Sequence, residues 1–238
     1  MTSIAREFDV VICADLFELD AAKKIYNTYV AVSPQGLIAK FRKLHPFISP
    51  HLSAGHEYVV FVLHDWKCGI LICYDNNVIK NVRATALLGA EMILMRHVTM
   101  CTPSSRPGAG FVQPDLWKPR LNDLTSLRVE LDGLKGRAWL MEWLPARAYD
   151  NGVYVIFSNP IGMDHDQLKN GCSMILDLFG TSLTSVEVLG RRCVQLSVRK
   201  RKLAWQAEVG TGRPGEQSCT VAFFRDRVKP ISRSLGVL

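Results

Sequence analysis

No stretch of this chain reaches the roughly 18 consecutive apolar residues that a membrane helix needs. Its first residues, MTSIAREFDVVICADLF, also lack the basic segment and apolar run of a secretory leader. There is no Cys-x-x-Cys pair and no Cys/His cluster at zinc spacing; the 7 cysteines, at positions 13, 68, 73, 101, 172, 193 and 219, are odd in number and scattered. These absences exclude a spanning helix, a zinc finger and a disulfide-stapled secreted scaffold. They predict a reduced, cytoplasmic protein in which most cysteines act as small core residues. No internal repeat or heptad pattern is present, and disorder is excluded by composition. With 48% hydrophobic and 21% charged residues over 238 positions, the chain has apolar material for one sizeable core.

The charge balance is 29 Lys+Arg against 22 Asp+Glu, a net of +7, which by itself invites an anionic partner such as nucleic acid. Position removes most of that invitation. Through Glu187 there are 18 basic and 19 acidic residues, whereas Val188 to Leu238 carries 11 basic and 3 acidic. The chain therefore divides into a nearly neutral body, residues 1–187, and a basic tail, residues 188–238. The tail shows no sustained period of either kind and is expected to be solvated or poorly ordered. Neither a nucleic-acid nor a membrane partner is predicted.

The body alternates strands with helices. Residues 8–14, 25–33, 37–43, 58–63 and 67–73 are rich in Val, Ile and Tyr and are separated by turn signals such as Ser33-Pro34-Gln35-Gly36, so they read as strands of a buried sheet. After Asp75 the apolar residues Val78, Val82 and Ala86 recur at helical spacing, with Asn76 and Asn77 as candidate caps and Gly89 as the stop. Residues 91–95 complete a strand-helix-strand unit, the mark of an α/β protein. Residues 99–118 predict a long functional loop and 134–150 a helix kinked or broken at Pro145. Residues 153–159 and 172–176 are further strands, followed by a turn at Gly180 and a short strand toward Val188.

Two features carry chemistry. Cys73 stands where the buried run GILIC ends and a helix begins, a place where the helix N-terminus favours a thiolate nucleophile over a thiol. Lys43, 30 residues earlier, closes another predicted strand, and a neighbouring strand brings it to the same sheet edge. An ammonium there stabilises a thiolate, and also the anion that forms when the thiolate attacks a carbonyl or nitrile carbon.

With their surroundings these residues resemble the carbon-nitrogen hydrolase family, the nitrilase superfamily. The resemblance is carried by Tyr26-Asn27-Thr28 through Gly36, by RKLHPF around Lys43, by the elbow GILICYDNN with Arg83-Ala84 and LLGAEMIL, and by ARAYDNGVYVIFSNPIG; it covers roughly residues 5–185. It implies a four-layer α-β-β-α sandwich and a homo-oligomer. It also implies a hydrolase of small nitriles or amides that works through a thioester, with no metal or organic cofactor. By resemblance Cys73 is the nucleophile and Lys43 the anion-stabilising lysine, helped by the backbone N–H of Tyr74. The family's general-base glutamate lies upstream of the matching segment, so the sandwich is expected to be N-terminally incomplete. Glu18, only 25 residues before Lys43, is read as a solvent-facing strand residue and not as that base. A second acidic residue that follows the lysine in many relatives has no direct counterpart; His51 and Glu57 stand in its neighbourhood. His45, His97 and Asn159 are further candidates for the pocket wall. The alternative reading is a catalytically impaired relative that serves as a binding or oligomerisation module.

Overall fold

The computed structural model describes residues 1–46, 49–120 and 122–185, and the backbone of 195–199 and 218–222. After helix α1 (Thr2–Phe8), strands β1 (Ile12–Leu19), β2 (Ile25–Ser33) and β3 (Gly36–Arg42) form an antiparallel sheet in that order. A second sheet begins with β4 (Val60–Leu63) and β5 (Trp66–Ile72). It continues through helices α2 (Tyr74–Asn77) and α3 (Ile79–Leu87) to β6 (Met92–Arg96). Helices α4 (Pro114–Trp117), α5 (Thr125–Asp132) and α6 (Arg137–Tyr149) lead to β7 (Tyr154–Ser158). The hairpin β8 (Ile161–Asp164) and β9 (Gln167–Asn170) then precedes β10 (Met174–Leu176) and β11 (Ser182–Ser185). The six strands run in the order β11-β10-β7-β6-β5-β4, with β5, β6 and β7 parallel.

The parallel strands are nearly continuous apolar runs because both faces of this sheet are covered. On one face, Tyr29, Ala31, Ala39 and Phe41 of β2 and β3 join the core formed with Ile70, Ile72 and Leu94; α3 and α6 close the other, the latter through Leu140, Leu144 and Ala148. α1 packs on β2 through the buried Ala5. The order of layers is helix, sheet, sheet, helix, as the resemblance implies. Among the described residues no helix is long and apolar enough to cross a membrane.

Several sequence expectations are corrected. Residues 8–14 are not one strand: a helix ends at Phe8 and the strand runs from Ile12 to Leu19, because Ala5 finds burial against β2 that the short TSIAREF segment does not advertise. Asn76 and Asn77 do not cap α3. Cys73 and Val78 hold the capping positions of α2 and α3, and the Asn76 amide instead reaches β6. Pro145 does not break α6, whose buried face at four-residue spacing holds the helix through the lost backbone bond. α5, the β8–β9 hairpin and the short α4 inside the predicted loop are additions. In the tail, β12 (Gln195–Arg199) and β13 (Ser218–Ala222) pair antiparallel; the rest of 186–238 lies outside the described residues, and with it the expectation of poor order.

Candidate active site

The buried run of β5 stops at Ile72, and Cys73 turns the chain with φ 53° and ψ −112°, a positive-φ conformation that a residue with a Cβ rarely adopts. Such a turn persists only when its surroundings over-determine it. Here the Cys73 N–H donates to the Arg96 carbonyl at 2.5 Å, the Cys73 carbonyl accepts from the Asn76 N–H at 2.9 Å, and the His97 ring hydrogen-bonds the Cys73 backbone. The result is a sharp strand-to-helix elbow that presents a half-buried free thiol at the C-terminal end of a central strand.

Lys43 follows β3 and is 3% exposed. Its N–H donates to the Asn27 carbonyl and its own carbonyl accepts from the Gly55 N–H, both at 2.8 Å. Its Nζ donates to the Ile72 carbonyl at 3.1 Å, which places the ammonium one residue from Cys73. Asp75, fully buried on the first turn after the elbow, faces the same segment. Its carboxyl accepts from the Leu44 N–H at 3.1 Å and the His45 N–H at 2.9 Å, and lies 3.0 Å from His45 Nδ1.

His97 sits beneath the elbow, with Nδ1 3.3 Å from Asn76 Nδ2 and its ring against Phe157 and Trp143, centroids 5.2 and 5.8 Å away. Burial, reinforced by the cations of Lys43 and Arg96, pushes its pKa down to about 3, so the imidazole is neutral at physiological pH. It supports the turn from below. Arg96, at the end of β6, ties the two sheets together through Asp15, with Nε 3.1 Å from Oδ1.

The other candidates stand elsewhere. The Asn159 side chain donates to Asn170 Oδ1 and the Gly171 carbonyl and accepts from the Thr99 N–H, so it ties the long loop to the β9–β10 connection. Tyr74, half exposed, packs edge-on against His45 at 6.4 Å. His51 is exposed on the turn beside the Leu52–Ile25 bridge. Glu57 lines an open cleft of about 240 Å³ with Tyr26, Lys40 and Arg42, on the sheet face opposite Lys43. Glu18 shares that outer face. It is not simply solvated: Lys40 at 2.6 Å, Arg42 at 2.7 Å and Thr28 at 2.9 Å converge on its carboxylate. The Arg42 guanidinium, opposed by partial burial and helped by Lys40 and Thr28, holds its pKa down at about 2. Sequence reasoning missed Asp75 and Arg96, whose side-chain partners Leu44, His45 and Asp15 lie 30 to 81 positions away and whose only local signal is proximity to the elbow.

Fold and site together define an α/β sandwich built around a cysteine elbow with a buried lysine beside it. Residues 1–187 match the carbon-nitrogen hydrolase family, and the chain belongs to it. It is 34% identical over 178 residues to a nitrilase of Pyrococcus abyssi, covering 74% of this chain and 54% of that protein. An (R)-stereoselective amidase of a Pseudomonas species is 27% identical over 181 residues, 75% of this chain and 54% of the relative. The chain thus spans about half the length of the curated relatives it matches. A carbon-nitrogen hydrolase from Helicobacter pylori superposes with a TM-score of 0.60 at 20% identity, over 78% of this chain and 60% of that one. An amidase of Nesterenkonia sp. AN1, captured with an acetamide moiety on its active-site cysteine, superposes with a TM-score of 0.57 at 19% identity, over 79% and 60%. At these identities the superpositions establish the shared nitrilase-superfamily fold.

Proposed function

We propose that this chain carries the nucleophilic half-site of a cysteine hydrolase acting on non-peptide carbon-nitrogen bonds of small amides or nitriles. The observation that carries the reading is the Lys43 ammonium held on the Ile72 carbonyl, immediately beside the strained Cys73. The Cys73 thiolate adds to the amide carbon, forming the C–S bond as the carbonyl π pair moves to oxygen. Lys43 Nζ and the backbone N–H of Tyr74 hold that anion. Its collapse re-forms the carbonyl and expels ammonia, the nitrogen taking up the proton that the Cys73 thiol gave up on ionising. Water then adds to the thioester, and collapse releases the acid and the thiolate. A nitrile enters the same path through a thioimidate that water converts to the thioester with loss of ammonia.

The relatives' names, nitrilase and amidase, support both substrate classes. Cys13, Cys68, Cys73, Cys101 and Cys172 are not disulfide-bonded, which supports a reducing, cytoplasmic setting. Exposed apolar side chains such as Phe17, Leu19 and Leu37 on the three-stranded sheet support a homo-oligomer. A second reading, a chain that keeps the elbow and turns over slowly or only binds, is favoured by Glu18. Tied to three donors on the outer face, it is withdrawn from service as the general base, and loss of such a base costs about 10² to 10⁴ in rate. Ammonia release from a panel of small amides and nitriles decides between them: activity abolished by Cys73→Ala supports hydrolysis, and equal rates for the two proteins overturn it.

A further inference from the structure

Asp75 is fully buried, and every side-chain contact of its carboxyl described above goes to the two residues that follow Lys43. It does not touch the thiol's partner directly. It stands two residues after Cys73 and grips the chain one and two residues after Lys43, while Lys43 Nζ reaches back to Ile72, one residue before Cys73. The nucleophile is therefore bracketed: one tie precedes it and one follows it, and both end on the same five-residue stretch, FRKLH. The backbone hydrogen bonds of Lys43 to Asn27 and Gly55 hold that residue to its own strand and loop neighbours, whereas the two ties on either side of the elbow set the separation of ammonium and sulfur. A misplacement of about 1 Å between reacting groups is enough to cost two orders of magnitude in rate.

We infer that Asp75 is a positioning residue that sets Lys43 against Cys73 by clamping the Leu44 and His45 amides, an inference that rests on the roles given to Lys43 and Cys73 above. The buried setting makes the clamp stiff, because a carboxyl deprived of these donors would have no water to replace them. His45 adds its ring to the grip, and Asn81 braces it from behind, donating to the Asp75 carbonyl at 3.3 Å while accepting from the Tyr58 hydroxyl at 2.9 Å.

The test uses the rate at which iodoacetamide alkylates Cys73 at fixed neutral pH, read from the mass of the Cys73 peptide, so that it does not depend on turnover. It compares wild type, Asp75→Asn, Lys43→Met and the double variant, with Cys13 and Cys172 as internal controls for an intact fold. A nearby ammonium promotes thiolate reactivity, so Lys43→Met slows Cys73 alone. Asp75→Asn is expected to slow it by a comparable factor, roughly tenfold, and to add nothing in the Lys43→Met background. If Lys43→Met slows the reaction and Asp75→Asn does not, or if the two effects multiply in the double variant, the inference falls while the site reading stands. If Lys43→Met has no effect, the site reading falls and takes the inference with it. A measurement on the unmodified protein guards against a variant that fails to fold. Hydrogen exchange of the Leu44 and His45 amides is expected to be strongly retarded, and exchange at the rate of an open loop overturns the clamp.

Discussion

The carboxylate of Glu18 accepts from Thr28, Lys40 and Arg42, and these three donors converge because the β1–β2–β3 register sets residue 18 opposite Tyr26 and residue 28 opposite Arg42. A group whose pKa falls from 4.5 to about 2 on folding adds stability that is fully present above 4.5 and is lost as the pH drops toward 2. Glu18→Gln is therefore expected to lower stability at pH 7 by about 1 kcal/mol, and the gap between variant and wild type should narrow steadily in urea titrations taken from pH 5 to pH 3. A gap that stays constant across that range would show that the network contributes through shape and not through charge. The same register explains why sequence reading placed Glu18 in solvent: nothing near it in the chain announces donors 10, 22 and 24 residues away. Cys73 and Lys43 were legible because each closes an apolar run and each sits in a recognisable motif. Asp75 was not, since its meaning lies wholly in Leu44 and His45, 30 residues upstream.

Helices and strands in this molecule are placed by close approaches as much as by periodicity, and Gly69 shows one of these between a strand and a helix. It lies in the middle of β5, four residues before the elbow, and a Cβ built on it would stand 2.2 Å from Cγ2 of Thr85 on α3. The helix rests directly on the strand backbone, and the Thr85 hydroxyl meanwhile donates to the Asn81 carbonyl inside α3. Gly69→Ala should cost about 1 to 3 kcal/mol as an overpacked site, seen as a lower midpoint in thermal unfolding. Adding Thr85→Ser removes the offending methyl and keeps the hydroxyl, so the double variant is expected to recover most of the loss. Recovery no greater than that of Thr85→Ser in the wild-type background would mean that the strain lies elsewhere. At this scale the sequence was read well where apolar runs are long, as in β5, β6 and β7, and badly where elements are short. α1, α5 and the two strands of the β8–β9 hairpin are 4 to 8 residues each and take their form from what they pack on. Pro145 misled for the same reason, since the burial of Leu140, Leu144 and Ala148 outweighs one missing backbone bond.

On the scale of the whole molecule, the main core runs from Tyr29 to Leu178 and the family match ends at residue 187, while the excess positive charge lies beyond it. The net charge of +7 is thus the sum of a body near neutrality and a tail that carries 11 basic against 3 acidic residues. Two properties should separate cleanly when the chain is shortened to residues 1–187. Cooperative thermal unfolding is expected to survive, because the sheets and helices that form the main core are all retained. Attraction to polyanions is expected to disappear: duplex DNA is no expected partner of this protein, but used as a polyanion probe it should be held by the full chain weakly and without sequence preference, with an affinity on the order of 10⁻⁵ M at physiological salt that falls linearly on a logarithmic salt axis. The shortened chain should show no such slope. A shortened chain that still binds with the same salt dependence would place an anion surface on the body, where a net charge near −1 gives no reason for one. Loss of the cooperative transition would instead show that the tail completes the core, and the division at 187 would then be one of charge and ancestry but not of folding.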